Sequence, residues 1–358
     1  MATDDMQQSL SLLDLNDDVL AEVCVAVAQL SKLERPRFAE DGEVTLLQAF
    51  SMTCRRLRRA AASSLFYGIK IGPHGWDLVR VGDTIDSLGL CPYTRAYTRR
   101  LHFVLFPENS PIGKERRLPA RIADIFINLR RLQRLTFSVP ECQNISARFE
   151  KIFMGNNLQL RWVDTLHLPN GSHWLINCCP NLTTLRLGTT PEVLLATIIE
   201  NSKHILAHIQ HLEMAADWNT ELLKPMLKIM SNLRTLAMVR GALHYRESIE
   251  DMVPVLARFT KLKTLVLASV INLKVGFCIP YSGGAYNGYK QVGPPDIDIP
   301  KERLEANHFV ADLVLTGCPD LQELWIGDFH KATRNKAKEG DNALIEISEA
   351  KRAWPPTG

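Results

Sequence analysis

The sequence contains no segment typical of export or of membrane insertion. Its opening residues are polar and acidic, with no basic start and no apolar stretch after them, so no secretory signal peptide is expected. The longest apolar run, residues 19–30, includes Glu22 and is too short to cross a hydrocarbon layer about 30 Å thick. Neither sign of charge is in large excess, because 42 basic residues face 39 acidic ones. This balance predicts neither a nucleic-acid partner nor an anionic membrane.

The sequence also lacks the motifs of nucleotide-binding proteins and of common hydrolases. It has no G-x-x-x-x-G-K-[ST], no strand followed by G-x-G-x-x-G, no G-x-S-x-G and no H-E-x-x-H. His173, Cys178 and Cys179 lie close together, but no second ligand pair follows at a spacing typical of zinc sites. We therefore predict no catalytic residues, no cofactor and no metal. Eight cysteines without an export signal predict reduced, mostly buried thiols in a cytoplasmic or nuclear protein.

What the sequence does contain is a recurring L-x-x-L-x-L motif. The last two apolar residues of each copy alternate with a polar or small residue, which is the pattern of a short strand with one buried face. A single strand of this kind cannot bury its apolar side alone, so the copies are expected to stack against one another. Clear copies begin at Leu182, Leu233, Leu262 and Leu321, and looser copies begin at Leu132, Val163 and Ile209.

Helical patterns alternate with these motifs at a nearly constant period. From Leu135 to Leu265 the middle leucines of successive copies are 19 to 31 residues apart, close to the roughly 20–29 residues of a leucine-rich repeat. Helices are predicted over 119–129, 191–199, 219–230 and 248–259. The sequence therefore predicts an α/β solenoid over residues 71–330, with parallel strands on the concave face and helices outside. A Gly/Pro/Tyr-rich insertion at about 272–300 accounts for one long interval before Leu324.

The first 70 residues contain no copy of the motif and read as helices. Apolar residues follow a helical spacing from Val19 to Val27, and a second helix is marked by Leu46 to Leu57. We therefore predict a small helical module over residues 9–70. Residues 331–358 are basic and are predicted to form a loosely ordered tail.

Two segments of the helical module resemble the F-box family. Residues 12–23 carry leucines, acidic residues and then an apolar helix, as that family does at its start, with Asn16 where proline is usual. Residues 50–60, read as Phe-Ser-Met-Thr-Cys-Arg-Arg-Leu-Arg-Arg-Ala, resemble the second half of the family pattern. The stretch between them, about 31–45, is longer than the family norm. Followed by leucine-rich repeats, the module is similar to divergent, fungal-type F-box/leucine-rich-repeat proteins.

This resemblance implies a substrate-recognition subunit of a cullin-RING ubiquitin ligase. The F-box would bind a Skp-type adaptor and the repeats a protein target, without chemistry in the chain itself. The alternative from a different class is a leucine-rich-repeat scaffold without ubiquitin output. Apolar residues at the module's first turn are expected to form an exposed patch, or else to dock on the module's own second helix or on the first repeat. The expected adaptor-binding residues are Leu13, Leu15, Val19, Leu20, Phe50, Cys54 and Leu57.

The target is expected to contact residues between the buried positions of the strands and residues of the insertion. Exposed Trp and Arg are the residue types that most often dominate interfaces, and the tyrosines of the insertion resemble anchors in a binding loop. The alternatives are a merely solvated face, with Trp325 covered by the tail or the insertion, and an insertion without a role. The expected target-binding residues are Arg134, His167, Arg186, Glu213, Trp325 and Tyr286.

Overall fold

The computed structural model describes residues 12, 15–33, 46–72, 78–105, 117–140, 145–239, 243, 247–273, 275, 299–327, 330–334 and 345–349. These residues form a mixed α/β fold. Its eleven strands belong to one mainly parallel sheet, and their order in the sheet is their order in the chain. The α/β class predicted from the sequence is thereby confirmed. The chain divides into two compact units, Met1–Leu135 and Thr136–Gly358.

The helices of the described residues are α1 Asp17–Leu33, α2 Leu46–Thr53, α3 Arg55–Leu65, α4 Leu78–Leu90, α5 Pro92–Tyr97, α6 Leu118–Asn128, α7 Ile145–Gly155, α8 Glu192–Asn201, α9 Lys203–Leu206, α10 Thr220–Ile229, α11 Ile249–Leu256 and α12 Ile299–Gly317. The strands are β1 Gly68–Ile71, β2 Arg100–Val104, β3 Arg134–Ser138, β4 Thr165–Leu168, β5 Thr184–Thr189, β6 His211–Ala215, β7 Thr235–Met238, β8 Thr264–Leu267, β9 Glu323–Ile326, β10 His330–Arg334 and β11 Ile345–Glu349. A short 3₁₀ helix spans His173–Cys178.

The first unit opens with three helices, and side chains cap the starts of α1 and α3. The side-chain oxygen of Asn16 accepts a hydrogen bond from the amide of Val19 at 2.8 Å and starts α1. The predicted second helix is interrupted, because Cys54 has extended backbone angles and its Sγ accepts a bond from the amide of Leu57 at 3.4 Å. The result is two shorter helices, α2 and α3, in place of one.

A turn recurs at the start of every L-x-x-L-x-L copy. In all seven copies the amide of the first apolar residue donates to the carbonyl three residues earlier. The looser copies share this bond with the clear ones, so the motif marks equivalent positions of the fold. The donor–acceptor pairs are Leu132–Leu129, Val163–Leu160, Leu182–Cys179, Ile209–Leu206, Leu233–Met230, Leu262–Phe259 and Leu321–Cys318.

A second arrangement recurs where one parallel strand joins the strand before it. Two successive amides donate to a single carbonyl, and in the described residues this happens at seven strands. The donor pairs and acceptors are 99/100 to Tyr67, 133/134 to Arg99, 183/184 to Asp164, 210/211 to Thr183, 234/235 to Gln210, 263/264 to Arg234 and 322/323 to Lys263. The repeating geometry therefore begins at β1 and β2, earlier than the clear sequence motif.

The middle leucines of the second unit form one buried row. Parallel pairing of β4 to β9 sets six of them side by side, and each is at most 1% exposed. Helices α8 and α10 pack on this face, where Leu195, Ile198 and Met226 enclose a small apolar space with the strands. Burial of a leucine side chain contributes about 1.5–3 kcal/mol, so this row is a main source of stability. The row is Leu166, Leu185, Leu212, Leu236, Leu265 and Leu324.

Helix starts in the second unit follow the sequence closely. The side chain of Asn219 accepts a bond from the amide of Leu222 at 2.6 Å and begins α10. At α11, Ser248 and Asp251 bond to each other's backbone amides in a capping box. The predictions of helices beginning near these residues and near Pro119 and Pro191 are confirmed.

The C-terminal prediction was wrong in part. Residues 331–334 and 345–349 of the expected loose tail belong to β10 and β11, which pair antiparallel with each other, while β10 also pairs antiparallel with β9. Most of the predicted insertion, including Tyr286, lies outside the described residues, and α12 begins at Ile299. Strand β1 and helices α4, α5, α7 and α12 were not predicted. Residue 70 falls inside the first unit, and the domain limits proposed from the sequence stay a prediction.

Candidate functional site

The helical module has a small core of its own. Cys24 of α1, Leu47 of α2 and Ala61 of α3 are buried together, and Phe50 and Leu65 pack against them half-buried. Arg56 ties α3 to the start of α1, because its Nε lies 2.8 Å from Asp17 Oδ1 and its Nη2 donates to the carbonyl of Leu15 at 2.7 Å. The first turn of α1 is thus held in place by α3.

Two of the expected adaptor-binding residues are buried instead of lying at the surface. Leu20 is 0% exposed and Leu57 is buried, so the expectation of exposed side chains was wrong there. The reason is helical spacing: Leu20 is four residues before buried Cys24 and therefore faces the same side of α1. Phe50 is half-buried, and Cys54 is half-buried as the cap of α3.

An exposed apolar surface does remain at the beginning of the module. Val19 is 42% exposed, Leu12 is also exposed, and Leu15 is half-buried. Met52 of α2, which the sequence reading did not single out, is 68% exposed. Helical spacing places Met52 opposite the buried face of α2, and this spacing could have identified it from the sequence. Leu13 lies outside the described residues.

In the second unit, the face of the sheet opposite the leucine row carries two rows of side chains. The first row reads Thr165, Thr184, His211, Thr235, Thr264 and Glu323, and the second reads His167, Arg186, Glu213, Ala237, Val266 and Trp325. Three expected target-binding residues, His167, Arg186 and Glu213, are thus direct neighbours on adjacent strands. Arg134 is exposed on β3.

Charge pairing fixes the polar part of this face. Arg186 Nε lies 2.7 Å from Glu213 Oε1. The Arg186 side chain is half-exposed, whereas Glu213 is only 1% exposed. His211 Nδ1 lies 3.0 Å from Thr235 Oγ1. Burial, and secondarily the charge of Arg234, lower the pKa of His211 and so disfavour the protonated ring. The expectation that Glu213 is open to a ligand was wrong, since Arg186 covers its outer side.

The C-terminal part of the same face is filled by apolar side chains. Ala237, Val266 and Trp325 form a buried cluster with Val239 packed against it, and Trp325 is 8% exposed. Lys331 of β10 places its Nζ 5.7 Å from the Trp325 ring centroid and 2.6 Å from Glu323 Oε1. The alternative in which the tail covers Trp325 is therefore favoured, and its role as an exposed anchor was wrongly expected.

The buried cysteines are not arranged as reactive groups. Burial raises the pKa of Cys178 to about 12, that of Cys318 to about 11 and that of Cys179 well above its ordinary value. Such thiols stay protonated and are poor nucleophiles and metal ligands. Within the described parts of the chain, no group of three or more His, Cys, Asp or Glu side chains is placed to hold a metal ion.

Neither the models of known protein families nor the sequences of curated proteins yield a match to this chain. In the part of the chain that the structure describes, no helix combines the length and the apolar character needed to cross a bilayer.

Proposed function

We propose that this chain is a substrate receptor of a cullin-RING ubiquitin ligase, with an F-box-like module at residues 9–70 and a leucine-rich-repeat solenoid at residues 71–330. The observation that carries the repeat part is the turn shared by all seven L-x-x-L-x-L copies, together with the buried leucine row. A regular stack of short parallel strands and outer helices is the arrangement of leucine-rich repeats. Such stacks bind other proteins through the side chains between their buried positions.

Support for the adaptor role comes from the surface at the start of α1. Val19 and Leu12 are exposed, and Arg56 of α3 bonds to Asp17 and to the carbonyl of Leu15 in the same turn. An exposed apolar group on a preorganised backbone loses little entropy on binding and favours association. The bound Skp-type adaptor would connect the chain to a cullin and a RING subunit.

The mechanism is proximity without chemistry in this chain. By holding a target and the adaptor at once, the receptor raises the local concentration of the target at the conjugating enzyme. Such an assembly operates in the cytosol or nucleus. The second candidate is a scaffold of the same architecture without ubiquitin output. The raised pKa values of the buried thiols and the charge-paired sheet face are equally consistent with this role.

The decisive experiment mixes the full-length protein with a Skp-type adaptor, alone and with a cullin. The test variant is Val19→Asp, because aspartate at a helix start is tolerated and Val19 is exposed. A change at buried Leu20 would instead unfold the module. The matched control is Val193→Asp, at an 81% exposed valine in the first turn of α8.

The proposal expects adaptor binding by the native protein, a loss of at least about tenfold in Val19→Asp, as for a central interface residue, and native binding by Val193→Asp. A native protein that ignores the adaptor would refute the ligase role. Binding to the adaptor but not to the adaptor–cullin assembly would favour the scaffold.

A further inference from the structure

A groove opens between three helices of the first unit. Its lining comes from the C-terminal half of α4, from α5 and from one side of α6, and its volume is about 450 Å³. This volume lies within the range of about 300–1,000 Å³ that is typical of small-molecule sites. We call it the α4–α6 groove. All of its lining residues belong to the described part of the chain, and none belongs to the surface proposed above for the adaptor.

Part of the groove lining is apolar. Ile85, Ile125 and Leu129 are buried, whereas Leu90 at the end of α4 is 86% exposed. Gly89 widens the groove, because a Cβ atom at this position would be surrounded by open space. The apolar body of a ligand would displace water from these side chains, and the removal of apolar surface from water favours binding.

An arginine fixes the two longer helices of the groove relative to each other. Arg121 of α6 donates through Nη2 to the carbonyl of Gly82 at 2.6 Å, and its Nε lies 2.9 Å from Oδ1 of Asp86, so it joins α6 to α4. The carboxylate of Asp86 thereby balances the charge of Arg121. A groove that is fixed in advance loses less free energy to ordering when a ligand binds.

Two charged side chains of the groove have no ion-pair partner among the described residues. Arg95 of α5 and Asp124 of α6 are exposed, and no salt bridge joins either of them to another side chain. Nη2 of Arg95 donates to the carbonyl of Gly89 at 3.1 Å, which holds the guanidinium at the end of α4 and leaves its other N–H groups available. The groove therefore offers one cationic and one anionic group to a ligand.

The charge balance of the lining indicates the charge of the ligand. The lining contains two arginines and two aspartates, so its formal charges cancel. A ligand with a charge of only one sign would leave either Arg95 or Asp124 without a partner, whereas a zwitterion can pair with both.

A buried hydroxyl group adds a requirement for a polar atom in the ligand. Thr94 lines the groove and is 2% exposed, and its Oγ1 has no hydrogen-bond partner within the described residues. Because a buried hydroxyl without a partner destabilises the fold, a ligand that carries an amide group gains from supplying one.

We propose that the α4–α6 groove binds a small zwitterion with an apolar body, of the chemical class of an apolar dipeptide. Its carboxylate pairs with Arg95, its ammonium group pairs with Asp124, and its side chains contact the apolar lining. A segment inside a longer polypeptide lacks both terminal charges and therefore cannot form these two ion pairs. The inference goes beyond the ligase role and does not depend on it.

The test compares four dipeptides that differ only in charge. L-leucyl-L-leucine carries both charges, its amide carries only the ammonium group, its N-acetyl form carries only the carboxylate, and the N-acetyl amide carries neither. Saturation-transfer NMR titrations use the full-length protein at slightly acidic pH, where the α-amino group is protonated. The zwitterion is expected to bind with a Kd below about 1 mM. It should bind about threefold tighter than either singly charged form and about tenfold tighter than the neutral form.

Two charge variants separate the two ion pairs. Arg95→Gln is expected to remove the preference for the zwitterion over its amide but to keep the preference over the N-acetyl form, because only the carboxylate contact is lost. Asp124→Asn is expected to do the reverse. Asp83→Asn, which changes an exposed aspartate of α4 outside the groove, is the matched control and should leave all four affinities unchanged.

A third variant fills the groove. Gly89→Phe places a ring in the open space beside Gly89 and is expected to abolish binding of the zwitterion. The matched control is Gly155→Phe, at the exposed end of α7, where an added side chain also meets open space. This control should bind as the native protein does. Thermal unfolding of each variant shows whether it is folded, and if Gly89→Phe is not, the reciprocal losses in Arg95→Gln and Asp124→Asn decide.

Equal affinities for the four dipeptides, or no binding of the zwitterion at millimolar concentration, would overturn the proposal. So would zwitterion binding that persists in a folded Gly89→Phe variant, because the ligand would then lie elsewhere. Tightest binding by the neutral N-acetyl amide would also overturn it and would assign the groove to an internal segment of a partner protein. Adaptor binding is measured separately with Val19→Asp, so the ligase role and this proposal can fail independently.

Discussion

The same strand pattern produces an open basic face in the first unit and a closed face at β7 to β9 of the second unit. In β1 and β2, Lys70, Arg100 and His102 are exposed, and each is followed by a buried residue. In β7, β8 and β9 the corresponding positions hold Ala237, Val266 and Trp325, which are buried together. The backbone bonds that start the strands are identical in kind in both regions.

The difference shows that repeat geometry does not decide where a ligand binds. The buried leucines set the backbone, and the residues between them decide whether the other face stays accessible. Glu213 and Trp325 looked like interface residues by type, yet one is paired with Arg186 and the other lies under Lys331. A binding surface has to be sought where such pairing is missing.

The largest effect is expected at Trp325. Trp325→Ala removes the main side chain of the buried cluster and should lower the free energy of unfolding by about 3–5 kcal/mol. The matched variant Trp162→Ala replaces a tryptophan of the same unit that is 62% exposed. It should change the free energy of unfolding by less than about 0.5 kcal/mol. Urea unfolding measures both. Similar losses in the two variants would mean that the face at Trp325 is not closed.

A smaller effect is expected at the ion pair. Arg186→Ala leaves the buried Glu213 carboxylate without its cation and should lower the free energy of unfolding by on the order of 2 kcal/mol. The loss should be smaller than for a fully buried pair because Arg186 is half-exposed. Adding Glu213→Gln should restore part of the loss, and the double-mutant cycle from urea unfolding gives the coupling. Additive losses would show that the pair does not stabilise this face.

On the open face, reversal of charge should leave stability nearly unchanged. Arg100→Glu/Arg134→Glu replaces exposed side chains and is expected to shift the free energy of unfolding by less than about 0.5 kcal/mol. Thermal and urea unfolding of the variant provide the check. A loss as large as that of Arg186→Ala would show that the two regions differ less than their exposure indicates.

The smallest effect concerns His102. Although the residue is exposed, partial desolvation of its ring first, and the charge of Lys70 second, lower the pKa of His102 from the ordinary value of 6.5. His102 therefore takes up a proton at a higher pH in the unfolded chain than in the folded one. The stability that its neutral form contributes to the folded state is complete above pH 6.5 and is lost as the pH falls through the lowered pKa. Lys70→Ala should raise the pKa of His102 and weaken that loss, as NMR titration of the imidazole can measure. An unchanged or lower pKa would place Lys70 away from the ring.

Much of the repeat region follows from its sequence because each rule there is local. Alternation around Leu185 or Leu265 defines a strand, and Asn219 and Ser248 cap helices by bonding to amides three residues on. Strand β1 escaped notice because Ile69-Lys70-Ile71 is too short to stand out, although the alternation is there. Strands β10 and β11 are polar, and their pairing depends on β9, which is not adjacent to β11 in the sequence.

The candidate sites were less predictable because exposure is a property of three-dimensional neighbours. Leu20 and Val19 are adjacent in the chain and equally apolar, but one turns towards Cys24 and the other towards solvent. The burial of Trp325 depends on Lys331, whose segment the composition assigned to a tail. Residue type identifies candidates for an interface, while the packing of distant segments selects among them.

The reversal of direction at β10 has a consequence for molecules that meet at high concentration. The edge strand of a parallel sheet has unpaired backbone N–H and C=O groups. These groups can pair with the first strand of another copy, and repeated pairing of this kind would produce a filament. Here the chain turns back on itself after β9, and the outermost strand carries exposed Glu346, Ser348 and Glu349. Exposed charged and polar side chains on the outermost strand disfavour pairing with a further strand, so we expect this antiparallel pair to hinder polymerisation.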